Sequence, residues 1–518
     1  MRTIKKNVTF LLKGAAIMTV FSLIGKSIGV FLRLFLSARI GSEGMGLYQL
    51  IMSVYTMFST FATAGFTVSV SRLVAEKDVR SHSDARLLLK TSFIASVALS
   101  AFFTLAMIFG SNYIARAFLA DERCGLPLRI LALSMPFMAL AACLKGWFIA
   151  HGRVSVTASA SLLEQLIKLG VIYLFLSVIM SRTNDIGVLC SGIVIGVTVS
   201  EVCSFLCLLL CRYFPRDPSA KSLPTSTETP ADSMRSLLKV TAPISLSVWL
   251  TSLLHTAETL LIPFVFEHYS GDRGSALSSF GMIRGMVVPL LFFPFAFLSA
   301  MVSVFTPEIS RLNMLPSKSE RNSRISTMMS FSVMFSIAVG GLFFFLSQEL
   351  GEAFYPGENT GYAIKLLAVV TPFMYIETIS DGLLKAIGEQ TQTLKFTVYN
   401  SVLRVTFILL FVTKSGENGY LWLLVISNTF TFLLCYLRLK KVTDIPLRLF
   451  ADWGLGLLYA SLAGLGARLF SQSVPFAGNT LAAMATAVYI GLFTTQLLVL
   501  SFPRVRHTLS RMRAAESV

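Results

Sequence analysis

Apolar stretches of about 20 residues recur along almost the whole chain, and they constrain its fold more than any other feature. The hydrocarbon core of a bilayer is about 30 Å thick, and a helix of roughly 20 apolar residues crosses it. Only 14% of the 518 residues are charged and 54% are hydrophobic, whereas a soluble domain is roughly 25% charged. The sequence therefore predicts an all-α polytopic membrane protein and excludes a soluble or disordered chain.

About fourteen windows have the length and composition of transmembrane spans. Their predicted bounds are 14–38, 46–70, 87–109, 127–150, 157–180, 186–211, 237–265, 280–305, 326–347, 363–386, 393–413, 419–437, 451–471 and 478–501. The connectors are short except for 212–236, which is rich in proline, serine and threonine. This composition is typical of a flexible linker.

The distribution of basic residues supports an even number of spans. Cytoplasmic loops of membrane proteins are enriched in Lys and Arg. When successive connectors are assigned to opposite sides, one side receives 29 basic residues and the other receives nine. A wrong count would have mixed the two sets, so we expect both termini in the cytoplasm.

An ungapped offset of 236 residues indicates an internal repeat. Spans four and five resemble spans ten and eleven in the same orientation. The matched pairs are Pro136 with Pro372, Phe137 with Phe373, Met138 with Met374, Gly146 with Gly382, Ala150 with Ala386, Gly152 with Gly388 and Lys168 with Arg404. The predicted organisation is two parallel six-helix lobes and an addition: an N-lobe (1–211), a cytoplasmic linker (212–236), a C-lobe (237–440), two further spans (441–502) and a basic cytoplasmic tail (503–518).

Several ionisable side chains fall inside the predicted spans, where a charge costs roughly 2.5–3.5 kcal/mol at a helix centre and usually faces a cavity or a partner. The basic residues are the candidates for binding substrate in a cavity, and they are Lys26, Arg33, Lys145, Lys168, Arg284 and Arg404. Glu201 lies at a similar depth. The candidates for ion or proton coupling are Glu164, His255, Glu258, Glu377 and Asp381.

Helical spacing offers a purely structural alternative for some of these residues. Glu164 and Lys168 are four residues apart, so they can pair with each other. Glu377, Asp381 and Lys385 form a similar stripe, with Lys385 expected to reach the cytoplasmic surface. His255 and Glu258, three residues apart, are either a proton-responsive pair or an internally satisfied hydrogen bond.

Arg33 and Arg284 have no acidic residue at helical spacing. A guanidinium group matches the oxygens of a phosphate bidentately. These two residues are therefore the best candidates for a cationic cavity that binds a phosphate or pyrophosphate head group. A structural role for each is the alternative.

No catalytic chemistry is indicated. The sequence has no HExxH or GxSxG motif, no Cys/His cluster with metal-ligand spacing and no extramembrane segment large enough for an active site. The net charge of +17 is distributed between spans rather than along one basic face, which argues against nucleic acid as a partner. We therefore predict no enzymatic activity, no catalytic residue, no cofactor and no metal site.

Three stretches resemble the stage V sporulation protein B-like polysaccharide transporters of the multidrug/oligosaccharidyl-lipid/polysaccharide (MOP) exporter superfamily. They are GVFLRLFLSARIGSEGMGLYQL from Gly29, AGFTVSVSRLVAEK from Ala64, and FGMIRGMVVPLLFFP with TPEISRL around span eight. Hydropathy and spacing extend the resemblance to essentially the whole chain. The resemblance implies two lobes around a central cavity that opens alternately to each side of the bacterial plasma membrane.

The resemblance also implies a cargo, an undecaprenyl-pyrophosphate-linked glycan such as lipid II. Its transport would serve cell-wall, spore-cortex or polysaccharide synthesis. By the same resemblance, Arg33 and Arg284 stand where related lipid II flippases carry cavity arginines. The partners implied are this lipid-linked oligosaccharide and membrane lipids, and we expect a monomer that works beside cell-wall synthesis enzymes.

Two other functions stay open at this point. One is a proton- or sodium-coupled multidrug or cation antiporter of the same superfamily, in which Glu258, Glu377 and Asp381 would bind the ion. The other is a non-transporting membrane scaffold or glycan ligase.

Overall fold

A computed structural model describes residues 2–63, 65–78, 82–179, 183, 185–213, 229–314, 318–443, 448–473 and 479–496. Within these ranges the regular structure is entirely helical, which confirms the predicted all-α class.

The described helices follow one another along the chain with short connections. They are α1 (Arg2–Thr63), α2 (Phe66–Asp78), α3 (His82–Tyr113), α4 (Gly125–Ala132), α5 (Met135–Ala150), α6 (Val154–Ile179), α7 (Ile186–Tyr213), α8 (Pro230–Ser270), α9 (Arg273–Phe280), α10 (Val288–Phe292), α11 (Phe295–Asn313), α12 (Lys318–Phe345), α13 (Ser347–Phe354), α14 (Gly361–Ala386), α15 (Gln390–Phe407), α16 (Thr413–Thr443), α17 (Arg448–Ser473) and α18 (479–496). Wider π-helical turns occur at Ile114–Phe118, Gly281–Val287 and Ile408–Val412.

The number of spans differs from the prediction. Among the described residues, nine helices are long and apolar enough to cross a membrane, and a tenth results if the bent pair Glu122–Ala132 and Met135–Ala150 is one span. The count of fourteen is therefore not confirmed. One reason is that helical structure continues through two predicted connectors, each bent at a glycine with positive φ, Gly41 (63°) and Gly416 (55°). Glycine adopts this conformation without a steric penalty.

The helices cluster into two compact units. The first comprises the described parts of Met1–Met286 and Thr397–Gly419, and the second comprises those of Val287–Phe396 and Tyr420–Val518. The predicted lobes, with their boundary at the 212–236 linker, depend on the internal repeat and stay a prediction.

Helices α2, α3 and α5 pack together around a buried core in the first unit. The core shared by α2, α3 and α5 includes the fully buried residues Val70, Leu88, Cys143 and Leu144. Thr67 of α2 donates a hydrogen bond from its Oγ1 to the carbonyl oxygen of Ala142, at 3.1 Å. Close contact of this kind drives helix association in a membrane, where lipid is as apolar as the side chains.

In the second unit, tyrosine hydroxyls join the helices to one another. The hydroxyl of Tyr489 on α18 donates to the carbonyl oxygen of Ala338 on α12, at 2.9 Å. The buried Tyr375 on α14 donates in the same way to the carbonyl oxygen of Leu291. Each bond satisfies a buried phenol that would otherwise be costly in apolar surroundings.

A close backbone approach in the first unit lies where α1, just after its bend, crosses the end of α9. A Cβ atom built on Gly281 would stand 3.0 Å from the Cα of Gly46 and closer still to the carbonyl oxygen of Ser42. A Cβ on Gly46 would stand 2.9 Å from the carbonyl carbon of Leu277. The Ser42 and Ser278 hydroxyls are hydrogen-bonded at 2.7 Å beside this crossing. Only glycine fits at the two crossing positions.

We predict that Gly281→Ala destabilises the protein by about 1–3 kcal/mol, because its methyl group must displace backbone rather than a flexible side chain. Thermal unfolding of the purified protein in detergent checks this. The matched control is Gly170→Ala on α6, where a Cβ has no neighbour within 4 Å; we expect it to be neutral or stabilising by up to about 1 kcal/mol, since alanine favours helix. Equal unfolding temperatures for the two variants would contradict the close crossing.

Candidate functional site

Arg284 lies in the π-helical turn Gly281–Val287, directly after the crossing with α1. Its neighbours Ile283 and Met286 are fully buried, whereas Arg284 itself is half-buried. Its Nε is enclosed and has no hydrogen-bond partner among the described residues. An enclosed donor without a partner costs about 1–3 kcal/mol, so this guanidinium has capacity to bind a ligand. π-Helical turns are frequent at functional sites.

Three other ionisable groups lie around Arg284. His255 and Glu258 are one turn apart on α8, and Arg404 extends from α15 so that its Nη1 is 3.5 Å from Oε2 of Glu258. Both Arg284 and Arg404 act electrostatically on the imidazole of His255. We call these four residues the His255 cluster. Each was a separate candidate in the sequence, and only the fold brings them together.

Glu258 has its charged partner on another helix. Glu258 is 4% exposed, and its carboxylate pairs with Arg404. No hydrogen bond joins it to His255 in the described part of the chain, and the relation between the two residues stays a prediction. A full positive charge on another helix attracts the carboxylate more strongly than a neutral imidazole does.

A second group of charges lies elsewhere in the first unit. Nζ of Lys168 lies 3.4 Å from Oε1 of Glu164, which confirms the predicted pairing along α6. Glu201 on α7 is buried, and it interacts electrostatically with Glu164, Lys168 and Lys145. We call Lys145, Glu164, Lys168 and Glu201 the Glu201 cluster.

Tyr55 is a neighbour of the Glu201 cluster that sequence analysis missed. Its phenol on α1 interacts electrostatically with Glu201 and Glu164, and it is hydrogen-bonded to the hydroxyl of Ser134 at 2.7 Å. A tyrosine within an apolar span carries no signal of its own. The depth of Lys145, Glu164, Lys168 and Glu201 in their spans was the sequence indication that this region is polar.

Lys26 and Arg33 lie on the first part of α1, and both side chains are exposed. They are seven residues apart, which places them on the same side of the helix at a separation of about 10 Å. Arg33 acts electrostatically on Tyr48, beyond the bend of the same helix. Among the described contacts none joins Arg33 to Arg284, so a cavity that uses both arginines stays a prediction.

The acidic stripe of α14 belongs to the second unit. Nζ of Lys385 lies 2.6 Å from Oδ2 of Asp381, and the lysine side chain is exposed, as expected for a group that reaches the membrane surface. Oε2 of Glu377 accepts a hydrogen bond from the Thr378 hydroxyl at 3.2 Å. Pairing with Lys385 satisfies Asp381 structurally.

Sequence analysis also missed a network beside the bend of α1. Arg123 donates to Glu43 at 2.9 Å and to Asp121 at 2.8 Å. This interaction ties the bend to the turn that precedes α4. Glu43 is far in sequence from the other two residues, and Asp121 and Arg123 lie in a connector. Helical spacing therefore does not predict their contact.

The fold matches that of a solved transporter. The chain superposes on the lipid II flippase MurJ in its inward closed conformation with a TM-score of 0.72, at 13% identity, over 94% of this chain and 99% of the other. Together with the apolar helices, this likeness shows a multi-pass membrane protein with the fold of that transporter.

Residues 11–313 match the model of the polysaccharide biosynthesis protein family. Because this match covers more than half of the chain, the protein belongs to that family. Stage V sporulation protein B of Bacillus subtilis (strain 168) is 21% identical over 505 residues, which are 96% of each chain. Lipid II flippase MurJ of the same organism is 24% identical over 175 residues, or 31% of each chain. The family resemblance found in the sequence is thereby confirmed.

We predict that Glu258 and Arg404 are energetically coupled. Arg404→Ala leaves a buried carboxylate without its charged partner, which should cost about 3–5 kcal/mol of the free energy of unfolding. Glu258→Gln combined with Arg404→Ala should cost less than the sum of the single changes, with a coupling of about 0.5–3 kcal/mol. Thermal unfolding of the two single variants and the double variant measures this coupling.

Lys385→Ala is the control, because its pair with Asp381 is exposed and should contribute less than about 1 kcal/mol. Additive effects of the Glu258 and Arg404 substitutions would mean that the two side chains do not interact.

Proposed function

We propose that the protein is a flippase for an undecaprenyl-pyrophosphate-linked glycan, such as lipid II or a polysaccharide precursor. It acts by alternating access in the bacterial plasma membrane, with both termini in the cytoplasm. The polysaccharide biosynthesis family and the names of the relatives support a cargo of this kind. Within the chain, the observation that carries the substrate class is the His255 cluster, in which two guanidinium groups lie inside predicted spans.

The chemistry of the cargo suits these arginines. A diphosphate that links a lipid to a sugar carries two negative charges and oxygens that a guanidinium group contacts bidentately. Arg284 offers an enclosed Nε with no partner in the described structure. Nη1 of Arg404 lies 3.5 Å from Oε2 of Glu258, a contact long enough for the guanidinium group to turn to a phosphate oxygen. Both groups thus compensate the charge of the head group while the lipid tail stays in the bilayer.

The other basic candidates have subsidiary roles in this proposal. Lys26 and Arg33, exposed on one side of α1, attract the anionic head group towards the site. Lys145 and Lys168, balanced by Glu164 and Glu201, form a polar region that can hydrogen-bond to the glycan.

The sequence contains no nucleotide-binding motif, so the proposed energy source is the membrane potential or an ion gradient. One charge moved through 100 mV corresponds to about 2.3 kcal/mol, enough to bias the export of an anionic cargo. The biological setting that we propose is cell-wall or spore-cortex synthesis, where a monomer supplies the glycan to neighbouring synthetic enzymes.

We predict that Arg284→Ala slows translocation roughly tenfold to a hundredfold, because charge-assisted hydrogen bonds contribute about 1.5–3 kcal/mol each. The measurement is the appearance of a fluorescent lipid-linked pyrophosphate glycan in the far leaflet of proteoliposomes. Arg33→Ala should give a smaller loss, since its side chain is exposed.

The control for this experiment is Arg116→Ala, which removes the same charge from an exposed ion pair with Glu122. We expect its rate to equal that of the wild type. Wild-type rates in Arg284→Ala would rule out head-group binding by this residue.

The buried carboxylates favour one rival, a proton- or sodium-coupled antiporter. Glu258 and Glu201 are 4% and 9% exposed, and acidic residues at such depth are common ion-coupling groups. Export of a cationic dye that is lost in Glu258→Gln but kept in Arg284→Ala would support the antiporter. Formation of a glycan-transfer product would instead support the ligase alternative.

A further inference from the structure

His255 is the one member of the His255 cluster that the proposed mechanism leaves without a role. Its side chain is exposed, although Glu258, one turn along the same helix, is buried. No hydrogen bond or ion pair engages its imidazole within the described ranges. The ring is therefore available to a ligand that enters beside Arg284 and Arg404.

The electrostatic surroundings of His255 are simple. The charged groups that act on it are Arg284 from the π-helical turn and Arg404 from α15. The helices α1, α2, α3 and α9 and the π-helical turn Ile408–Val412 also pack against α8, but among their described residues none adds a charge that acts on His255. Glu258 is engaged by Arg404. A proton on His255 would thus join a site whose other charges, with Glu258 counted, already sum to one positive charge while the site is empty, and this arrangement is unfavourable.

The charge of the site changes sign when a diphosphate diester enters. Arg284, Arg404 and Glu258 together carry one positive charge, and the diester brings two negative charges. The complex is left with one uncompensated negative charge in surroundings of low dielectric constant, where such a charge is costly. One proton on His255 brings the balance to zero.

We propose that His255 is a proton-linked ligand of the head group, so that the site takes up a proton on His255 when it binds the diphosphate. The proposal rests on the proposed function for the identity of the anion. An N–H of the imidazolium then donates to a phosphate oxygen beside the two guanidinium groups. Because linkage is reciprocal, diphosphate strengthens proton binding and protons strengthen diphosphate binding by the same factor.

The linkage predicts that affinity for the diphosphate rises as the pH falls. Above the pH at which the occupied site binds its proton, affinity does not depend on the charge of His255. Between that pH and the lower pH at which the empty site also binds the proton, affinity increases by up to about tenfold per pH unit, the limit for one proton.

Isothermal titration calorimetry of the full-length protein in detergent tests this proposal. The probe is a water-soluble alkyl–glycosyl diphosphate diester with a chain of about ten carbons. Its two charges are fixed near neutral pH, so any proton taken up belongs to the protein. Titrations at each pH in buffers of different ionisation enthalpy give the number of protons taken up per diester bound.

The wild type should take up as much as one proton, and its affinity should rise between pH 8 and pH 6. His255→Gln should bind more weakly, without proton uptake or pH dependence. His255→Arg should bind without proton uptake but keep the affinity, because it supplies a fixed positive charge. His268→Gln, an exposed position near the end of the same helix, is the matched control and should behave as the wild type. Thermal unfolding establishes that each variant is folded.

Proton uptake that persists in His255→Gln would overturn the proposal. So would binding by the wild type with no proton uptake, although diphosphate binding, and with it the proposed function, would then stand. Failure of the folded wild type to bind the diester at any pH would overturn both. The two proposals are thus distinguished by the presence of binding and by its proton count.

Discussion

The cost of placing charge in the membrane organises the polar interior of this protein. A charged side chain at the depth of a span must find a partner, a cavity or the surface. The pairs Glu164–Lys168, Glu258–Arg404 and Asp381–Lys385 satisfy this requirement by direct contact. Arg284 and His255 are left with unused hydrogen-bonding capacity, and this capacity makes their cluster suitable for an anion.

The position of Arg284 depends on backbone contact rather than on its own side chain. The Gly46–Gly281 crossing brings α1 and the end of α9 together, and the π-helical turn begins at the same glycine. Arg284 in this turn acts electrostatically on His255 of α8. Packing of small residues in one place thus determines electrostatics several residues away, as is common in helical membrane proteins.

Sequence predicted the local features of the site and missed the long-range ones. The 164–168 and 381–385 pairs follow from helical spacing alone and are confirmed. The pair of Glu258 with Arg404, 146 residues away, follows from no helical spacing and was not predicted. Tyr55 was missed because the sequence does not distinguish an aromatic residue with a polar role from one that faces lipid or packs in the core.

Hydropathy by itself determined the all-α membrane class, because each span must bury its backbone polar groups within its own helix. Motifs in the same sequence and their spacing indicated the transporter family. Only the tertiary structure decided how the helices join and which charges meet. Gly41 and Gly416 bend helical structure that hydropathy had divided into separate spans. Helices α8 and α15 and the π-helical turn bring His255, Arg404 and Arg284 together. Contacts between distant helices depend on shape and packing, which a one-dimensional pattern of apolar residues does not encode.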